Sequence, residues 1–272
     1  MSTSSYIHGI NPDEQQRLFI LNEILNQRCL EKIRINPGER ILDVGSGLGL
    51  MTALFAGLSG PEGFCLGIER STEQLQKSAT LLREGLSFRQ GDALKLPLAP
   101  DEEESFDLVH ARFILEHLPE PQKAIHEMKR ALKPGGRIFL ADDDHQAMIL
   151  FPEPEGFQQL WTAYTDSFVE VGNDPFIGRK LPSLLMSAGF MDVRNDTVFF
   201  GDVAGSPTFE MFVKNLSEVI STAQDVMMEN NLVSQSAYDS AMKSLSTWAK
   251  LSNATALYPL CLATGNKPLI SK

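Results

Sequence analysis

Short apolar runs alternate with longer segments in which apolar residues recur every three or four positions, from about residue 11 to residue 145. The short runs are typical of buried strands, and the longer segments are typical of amphipathic helices. Five strands are predicted in this part of the chain, at residues 40–44, 64–68, 87–90, 106–110 and 137–141. Because helices separate successive strands, the pattern predicts an α/β fold with a doubly wound, mostly parallel sheet.

The pattern changes after residue 145. Two further helices and two further strands are predicted there, at residues 155–171, 181–188, 193–200 and 256–263. The two strands bring the predicted Rossmann-like sheet to seven strands, and Ser206 and Pro207 begin a long amphipathic helical stretch between them. We therefore predict a single domain over residues 1–272, in which residues 206–251 form an inserted helical lid over the ligand edge of the sheet.

The first predicted helix begins near residue 11. Asn11 is a favourable N-cap residue, and Pro12 suits the first position of a helix. His8 and Tyr6 precede this helix and are candidates for a segment that folds over a ligand.

Composition excludes several classes of protein. The 35 acidic residues outnumber the 24 basic ones, which gives a net charge of -11 and argues against a nucleic-acid partner. No apolar run approaches the ~18 residues of a membrane helix, and the first residues do not resemble a signal peptide, so we expect a cytoplasmic protein with no membrane partner. The three cysteines stand far apart, so neither a zinc site nor a redox pair is predicted.

A glycine-rich turn follows the first strand and contains Gly45, Gly47 and Gly49. A strand that ends in glycines and leads into a helix presents backbone N–H groups at the carboxyl edge of the sheet, where a ligand can approach closely. A dinucleotide-binding fingerprint requires its third glycine at position 50, which is Leu50, and this chain has Asp43 two residues before its first glycine. These residues argue against an NAD(P)-dependent oxidoreductase, which is the first alternative function.

Five segments in order resemble the class I S-adenosylmethionine-dependent methyltransferases. They are D-V-G-S-G-L-G after the first strand, I-E-R-S, Q-G-D-A and S-F-D-L-V-H at the next three strands, and L-K-P-G-G-R-I at the fifth. The chain is most similar to the branch that contains the ubiquinone and menaquinone biosynthesis methyltransferases. The resemblance is close over residues 35–145, which we predict to be the cofactor-binding core.

The resemblance implies that one group of residues holds the methionine half of S-adenosylmethionine. Gly45, Gly47 and Gly49 would pass under the methionine, and Asp43 would order this loop or reach the amino group through water. The backbone carbonyl of His110, at the end of the fourth predicted strand, would help to hold the ammonium group.

A second group would bind the nucleoside half. Glu69 would accept hydrogen bonds from the ribose hydroxyls, Arg70 would lie along the adenine face, and Gln74 would border the same pocket. Asp92 would accept from the adenine amino group, while the N–H of Ala93 would point toward the ring.

The catalytic residues are not evident from any motif. His145 follows the predicted fifth strand and the acidic run 142–144, so it is a weak candidate for a catalytic or acceptor-side residue. For His117, packing or capping is favoured over catalysis. Consecutive acidic residues usually point in different directions and stay solvated, so no metal site is predicted.

The implied reaction is transfer of the methyl group of S-adenosylmethionine to a small-molecule acceptor by in-line displacement. The acidic surface and the helical cover favour a small, partly apolar acceptor that attacks through oxygen, nitrogen or carbon. Deleting residues 206–251 would then remove turnover more than cofactor binding. A noncatalytic sensor or subunit that binds S-adenosylmethionine is the second alternative function.

We predict that Glu69→Ala weakens the binding of S-adenosylmethionine at least tenfold, or about 1.4 kcal/mol, because two ribose hydroxyls lose a charged acceptor. Isothermal titration calorimetry measures this change. An unchanged affinity would count against the ribose assignment.

Overall fold

A computed structural model describes residues 25–269 of the chain. The start of the first predicted helix, with Asn11 and Pro12, lies outside the described residues, as do His8 and Tyr6. Residues 25–30 are helical.

The first half of the chain alternates strands with helices, as predicted. Its strands are β1 (Arg40–Val44), β2 (Phe64–Glu69), β3 (Leu86–Gln90), β4 (Phe106–Arg112) and β5 (Leu132–Asp142). Its α-helices are α1 (Leu50–Ser59), α2 (Thr72–Ser78) and α3 (Pro121–Ala131).

The second half contains more helix. Its strands are β6 (Ile149–Phe151), β7 (Met191–Phe199), β8 (Thr255–Leu257) and β9 (Pro259–Asn266). Its α-helices are α4 (Phe157–Glu170), α5 (Leu181–Ser187), α6 (Pro207–Thr222), α7 (Gln224–Glu229) and α8 (Gln235–Trp248). None of the helices within residues 25–269 combines the length and the apolar character that crossing a bilayer requires.

Seven strands form one sheet in the order β3-β2-β1-β4-β5-β9-β7. Strand β9 runs antiparallel to both of its neighbours, and the other adjacent pairs are parallel. The predicted Rossmann-like, mostly parallel seven-stranded sheet is therefore confirmed. The chain order reverses between β1 and β4, which is the position at which sheets of this type bind ligands beyond the carboxyl ends of their strands.

Several strand boundaries differ from the sequence prediction. Strand β4 continues beyond residue 110 to Arg112, and β5 begins at Leu132, before the predicted residue 137. The pairing of β4 with β5 shifts register between Phe106 and Leu108, so residues 133–136 are an irregular part of β5. The strand predicted at residues 256–263 is two strands, because β8 leaves the main sheet and pairs with β6. Pairing between distant segments sets these boundaries.

The strands of the sheet send alternate side chains to two helical layers. Ile41 of β1 belongs to the same hydrophobic cluster as Phe55 of α1. Leu42, the next residue of the strand, belongs to a second cluster that contains Ile125 and Met128 of α3. Burial on both faces explains why the central strands consist mainly of apolar residues.

Helices α6 to α8 form the insertion between β7 and β8. Their apolar stripe is buried, with Phe209, Phe212 and Leu216 in one core cluster with residues of α4. Within the described part of the chain, none of these three helices lines the cavity at the edge of the sheet. Because the helices bury so much apolar surface, we now expect deletion of residues 206–251 to unfold the protein, whereas the sequence predicted a greater loss of turnover than of cofactor binding.

We predict that Phe212→Ala lowers the free energy of unfolding by about 3–5 kcal/mol, because this side chain is 1% exposed and its removal leaves a cavity. The matched control is Phe199→Ala, since Phe199 is 45% exposed and should lose much less. Urea denaturation of the two variants measures the difference. Equal losses would contradict the assignment of α6 to the core.

Candidate active site

A cavity of about 610 Å³ lies at the carboxyl ends of β1, β2 and β4, within the range of ~300–1,000 Å³ typical of small-molecule sites. Most of the predicted cofactor residues line it, namely Asp43, Gly45, Gly47, Glu69, Arg70, Gln74, Asp92, Ala93 and His110. Two of the predicted residues, Gly49 and His145, are not part of its lining. The topology thus brings together segments that are far apart in the sequence.

The glycine loop leaves β1 and enters α1. A Cβ atom on Gly45 would lie 1.9 Å from Cδ1 of Ile114, so this position leaves no space for a larger residue. Gly49 is the N-cap of α1 with φ of 77°, and a Cβ atom there would lie 2.5 Å from the ring of Phe88. Gly49 therefore allows α1 to start close to β3, and its position beneath the methionine of the cofactor stays a prediction.

The carboxylate of Glu69 ties the glycine loop to the start of α2. Its Oε2 accepts from the N–H of Gly47 at 2.9 Å, and its Oε1 accepts from the N–H of Ser71 at 2.7 Å. Burial raises the pKa of Glu69 above its ordinary value, although these backbone hydrogen bonds oppose the shift. Each carboxylate oxygen has a second lone pair, so the group can also accept from a ligand.

Asp43 and His110 form a buried pair between β1 and β4. The two residues stand opposite each other in the parallel ladder, and Asp43 Oδ1 accepts from His110 Nδ1 at 2.7 Å. Asp43 Oδ2 accepts from the hydroxyl of Thr52, at 2.6 Å. Asp43 thus joins β4 and α1. Its two predicted roles, ordering the glycine loop and reaching the amino group of the cofactor through water, stay predictions.

His110 lies inside β4, whereas the sequence placed it at the end of the strand. Its ring packs between Phe55 and Phe139, with centroid distances of 5.0 and 5.8 Å. The last carbonyl of the strand belongs to Arg112, while His110 lines the cavity, so the contact of its carbonyl with the ammonium group stays a prediction.

The β2 and β3 side of the cavity carries the residues expected to bind a nucleoside. Asp92 Oδ1 accepts from the N–H of Leu94 at 2.8 Å, which leaves its other oxygen for a ligand. Gln74 is buried in the first turn of α2, where the hydroxyl of Ser71 accepts from its N–H. Arg70 borders the same end of the cavity.

Several residues of the cavity wall lay outside the cofactor set predicted from the sequence, and Arg112, Ile114 and His117 are among them. Arg112 ends β4 and donates to Asn26 Oδ1 at 2.7 Å, and Ile114 and His117 follow the same strand. Each of the three lies at or just beyond the carboxyl end of β4, which is the signal that would have identified them.

His145 lies in a buried cluster outside the described cavity lining. Its Nδ1 is hydrogen-bonded to the Tyr258 hydroxyl at 2.7 Å, and its Nε2 lies 3.2 Å from Glu116 Oε2. Burial lowers the pKa of His145, but the hydrogen bond and charge of Glu116 outweigh it, so the net shift is upward. The rings of Trp161 and Phe168 contact the imidazole edge-on.

The acidic run after β5 is largely buried, which corrects the expectation of a solvated run. Asp142 accepts from the N–H of Leu115 at 3.0 Å, and burial together with the nearby Glu116 raises its pKa well above the ordinary value. Asp144 accepts two hydrogen bonds from Arg179.

Glu116, Asp143 and His145 bring oxygen and nitrogen atoms within 4.8 Å of one another. A metal-binding imidazole must offer a nitrogen lone pair. Both nitrogens of His145 already face protein partners, and its raised pKa favours the doubly protonated form. We therefore assign these side chains to a hydrogen-bonded cluster.

Comparisons with known proteins identify the family. The methyltransferase domain family matches residues 35–173. The methyltransferase GfsG of Streptomyces halstedii is 31% identical over 232 residues, which cover 80% of this chain and 78% of GfsG. A demethylmenaquinone methyltransferase of Staphylococcus aureus is 31% identical over 200 residues, which cover 68% of this chain and 81% of that protein. Two other curated relatives are matched over only 46% and 58% of their own lengths.

Solved structures agree on the fold. The [4+2]-cyclase SpnF aligns with a TM-score of 0.54 and 22% identity over 91% of this chain and 81% of that one. At this identity the likeness shows the fold alone. The family match and the relatives confirm the resemblance found in the sequence: this chain belongs to the methyltransferase domain family, as a class I S-adenosylmethionine-dependent methyltransferase similar to the ubiquinone and menaquinone branch.

Proposed function

We propose that the protein transfers the methyl group of S-adenosylmethionine to a small, partly apolar acceptor. The observation that carries this proposal is the cavity at the reversal point of the sheet, which brings carboxylates, glycine N–H groups and apolar side chains to one ligand edge. S-adenosylmethionine has a sulfonium and an ammonium group against one carboxylate, so a site with acidic residues suits its charge.

The nucleoside half of the cofactor would lie on the β2 and β3 side. Glu69 is already oriented by two backbone N–H groups, so its remaining lone pairs can accept from the ribose hydroxyls. Asp92 and the N–H of Ala93 would then bind the adenine edge, while Arg70 and Gln74 border the ring.

The methionine half would lie over the glycine loop, between β1 and β4. Gly45 and Gly47 let the ligand approach the backbone, and the buried pair of Asp43 and His110 holds the two strands beneath them. Methyl transfer requires the attacking atom in line with the methyl carbon and the sulfur. A rigid site that fixes the cofactor on two strands can supply that alignment.

The acceptor end would lie beyond β4, where Phe113, Ile114 and Leu118 give the wall an apolar character. A small acceptor with an apolar ring or chain fits such a wall. The similarity to a demethylmenaquinone methyltransferase, whose name gives a small-molecule acceptor, also supports an acceptor of low molecular weight. The three cysteines are free thiols, which suits the reducing conditions of the cytoplasm.

Methyl transfer is tested with methyl-labelled S-adenosylmethionine and a panel of small phenols, quinols, alcohols, amines and thioethers. We expect label in one class of acceptor and an equal amount of S-adenosylhomocysteine, with little transfer by Glu69→Ala at a cofactor concentration below the weakened Kd. Binding without transfer to any acceptor would favour the sensor or subunit. Thermal stabilisation by NAD(P) alone would favour the oxidoreductase.

The affinity for S-adenosylmethionine should fall as the pH is lowered from about 8 to about 5. The ionised form of Glu69 accepts from the ribose, and burial raises the pKa of this group, so protonation begins above the usual range of a carboxyl. Calorimetry at several pH values measures the effect. Glu69→Gln should bind more weakly at pH 8 and lose most of the pH dependence, and an unaltered slope in that variant would assign the dependence to another group.

A further inference from the structure

We infer that Arg112 binds the carboxylate in the methionine half of S-adenosylmethionine, and that Asn26 positions its guanidinium group for this contact. The inference rests on the proposed methyl transfer, because it assigns a partner to one further group of the same cofactor. Arg112 is the last residue of β4, and it lines the cavity. A carboxylate that enters such a cavity loses water, so it needs a cation or several N–H donors in exchange.

The arginine side chains of the cavity stand on different strands. Among the described residues that line it, Arg70 and Arg112 are the only ones of the lysine or arginine type. Arg70 follows β2, on the side proposed for the nucleoside, whereas Arg112 ends β4, on the side proposed for the methionine. Strand β1 separates β2 from β4 in the sheet. Of these two cations, Arg112 is therefore the one placed to meet the methionine carboxylate.

The register of the sheet brings Arg112 beside the start of the glycine loop. In the parallel pairing of β1 with β4, Val44 stands opposite Ala111, so the next position along both strands brings Gly45 beside Arg112. Alternate side chains of a strand point to the same face, so Arg112 extends on the side of His110. The ring of His110 contacts α1, which is the helix that the glycine loop enters. Arg112 thus lies on the face of the sheet where the methionine half would lie.

The N–H groups of the glycine loop are largely taken by acceptors in the protein. Those of Gly45 and Ser46 donate to one carbonyl of β2, at 2.8 and 3.0 Å. The N–H of Gly47 donates to the side chain of Glu69 at 2.9 Å. The N–H of Gly49 donates to the carbonyl of Ser46, also at 2.9 Å. Because these four donors already have acceptors, a carboxylate above the loop needs a donor from another element.

Two side chains of the helix formed by residues 25–30 orient the guanidinium group. Nη2 of Arg112 donates to Asn26 Oδ1 at 2.7 Å, and Nη1 donates to Cys29 Sγ at 3.7 Å. Asn26 and Cys29 are both buried, so packing holds these two partners in place. A guanidinium group stays charged and has five N–H donors in one plane, so it can hold these partners and a carboxylate together.

The residue that follows Arg112 also supports the guanidinium group. Phe113 has a φ of 55°, so the chain turns there, and its N–H donates to the carbonyl of Ala141 on β5 at 2.9 Å. The centroid of the Phe113 ring lies 5.7 Å from Cζ of Arg112, which is within the range of a cation–π contact. Contacts from two parts of the chain thus limit the positions that the guanidinium group can take.

The consequence of this contact is selectivity for a cofactor with an intact carboxylate. Decarboxylated S-adenosylmethionine keeps the adenosine, the sulfonium and the ammonium group, and lacks only the carboxylate. Its positive charges would lie near the guanidinium group of Arg112 without the anion that attracts it. Selectivity is a difference between two affinities, so we expect the wild-type protein to bind S-adenosylmethionine more tightly than the decarboxylated ligand.

Isothermal titration calorimetry of the full chain with these two ligands, and without an acceptor, tests the assignment. We expect Arg112→Ala to weaken the binding of S-adenosylmethionine by about 10–100-fold, because its carboxylate loses a charge-assisted hydrogen bond. The same variant should bind the decarboxylated ligand as tightly as the wild type or more tightly. A purely structural role for Arg112 would weaken the binding of both ligands alike.

Two further variants complete the comparison. Asn26→Ala should lose a smaller part of the preference for S-adenosylmethionine, since it keeps the cation and removes one contact that positions it. An unchanged preference in this variant would overturn the role of Asn26. Arg70→Ala is the matched control, because Arg70 would contact the adenosine that both ligands share, so both affinities should change by the same factor.

The outcomes distinguish this inference from the proposed function. If the wild-type protein binds S-adenosylmethionine and Arg112→Ala keeps the same preference over the decarboxylated ligand, the carboxylate assignment is overturned and methyl transfer stands. Loss of the preference in Arg70→Ala instead also overturns it. If the wild-type protein binds neither ligand, the proposed function fails and this inference fails with it. If circular dichroism shows that Arg112→Ala does not fold, Arg112→Gln decides, because it keeps an amide N–H for Asn26 and removes the charge.

Discussion

The carboxylate of Asp43 joins three elements at the point where the strand order of the sheet reverses. Its two oxygens accept from His110 on β4 and from Thr52 on α1, while Asp43 itself lies in the buried part of β1. A carboxylate that is only 2% exposed is costly unless its oxygens have partners, so loss of either partner would leave a buried charge without full compensation. The positions of β1, β4 and α1 at the ligand edge therefore depend on this one side chain.

The rest of the candidate site extends from that junction. The glycine loop leaves β1 after Val44, one residue beyond Asp43, and Glu69 holds the loop from the neighbouring strand through the N–H of Gly47. On the other side, β4 continues two residues beyond His110 and leads to the turn that contains His117. The ends of β1, β2 and β4 thus contribute to one cavity.

The charged groups of this edge are spread over two layers. Glu69 and Asp92 face the cavity directly, whereas Asp142, Asp144 and His145 lie behind it with hydrogen-bonding partners in the protein. Glu116 connects the two layers, because its oxygens approach one imidazole in the wall and one in the core. The acidic character of the chain is therefore partly internal, and it surrounds a site suited to a positively charged cofactor.

The sequence by itself determined the βα alternation, the glycine loop and the position of Glu69 at the end of its strand, because these depend on residues close together in the chain. Only the tertiary structure decided that Gly49 packs on Phe88, that Arg112 ends β4 and that β8 leaves the main sheet. It also buried the 206–251 helices and placed His145 behind the cavity wall. Local periodicity shows which residues prefer to be buried, but the partner that buries each of them comes from a distant segment.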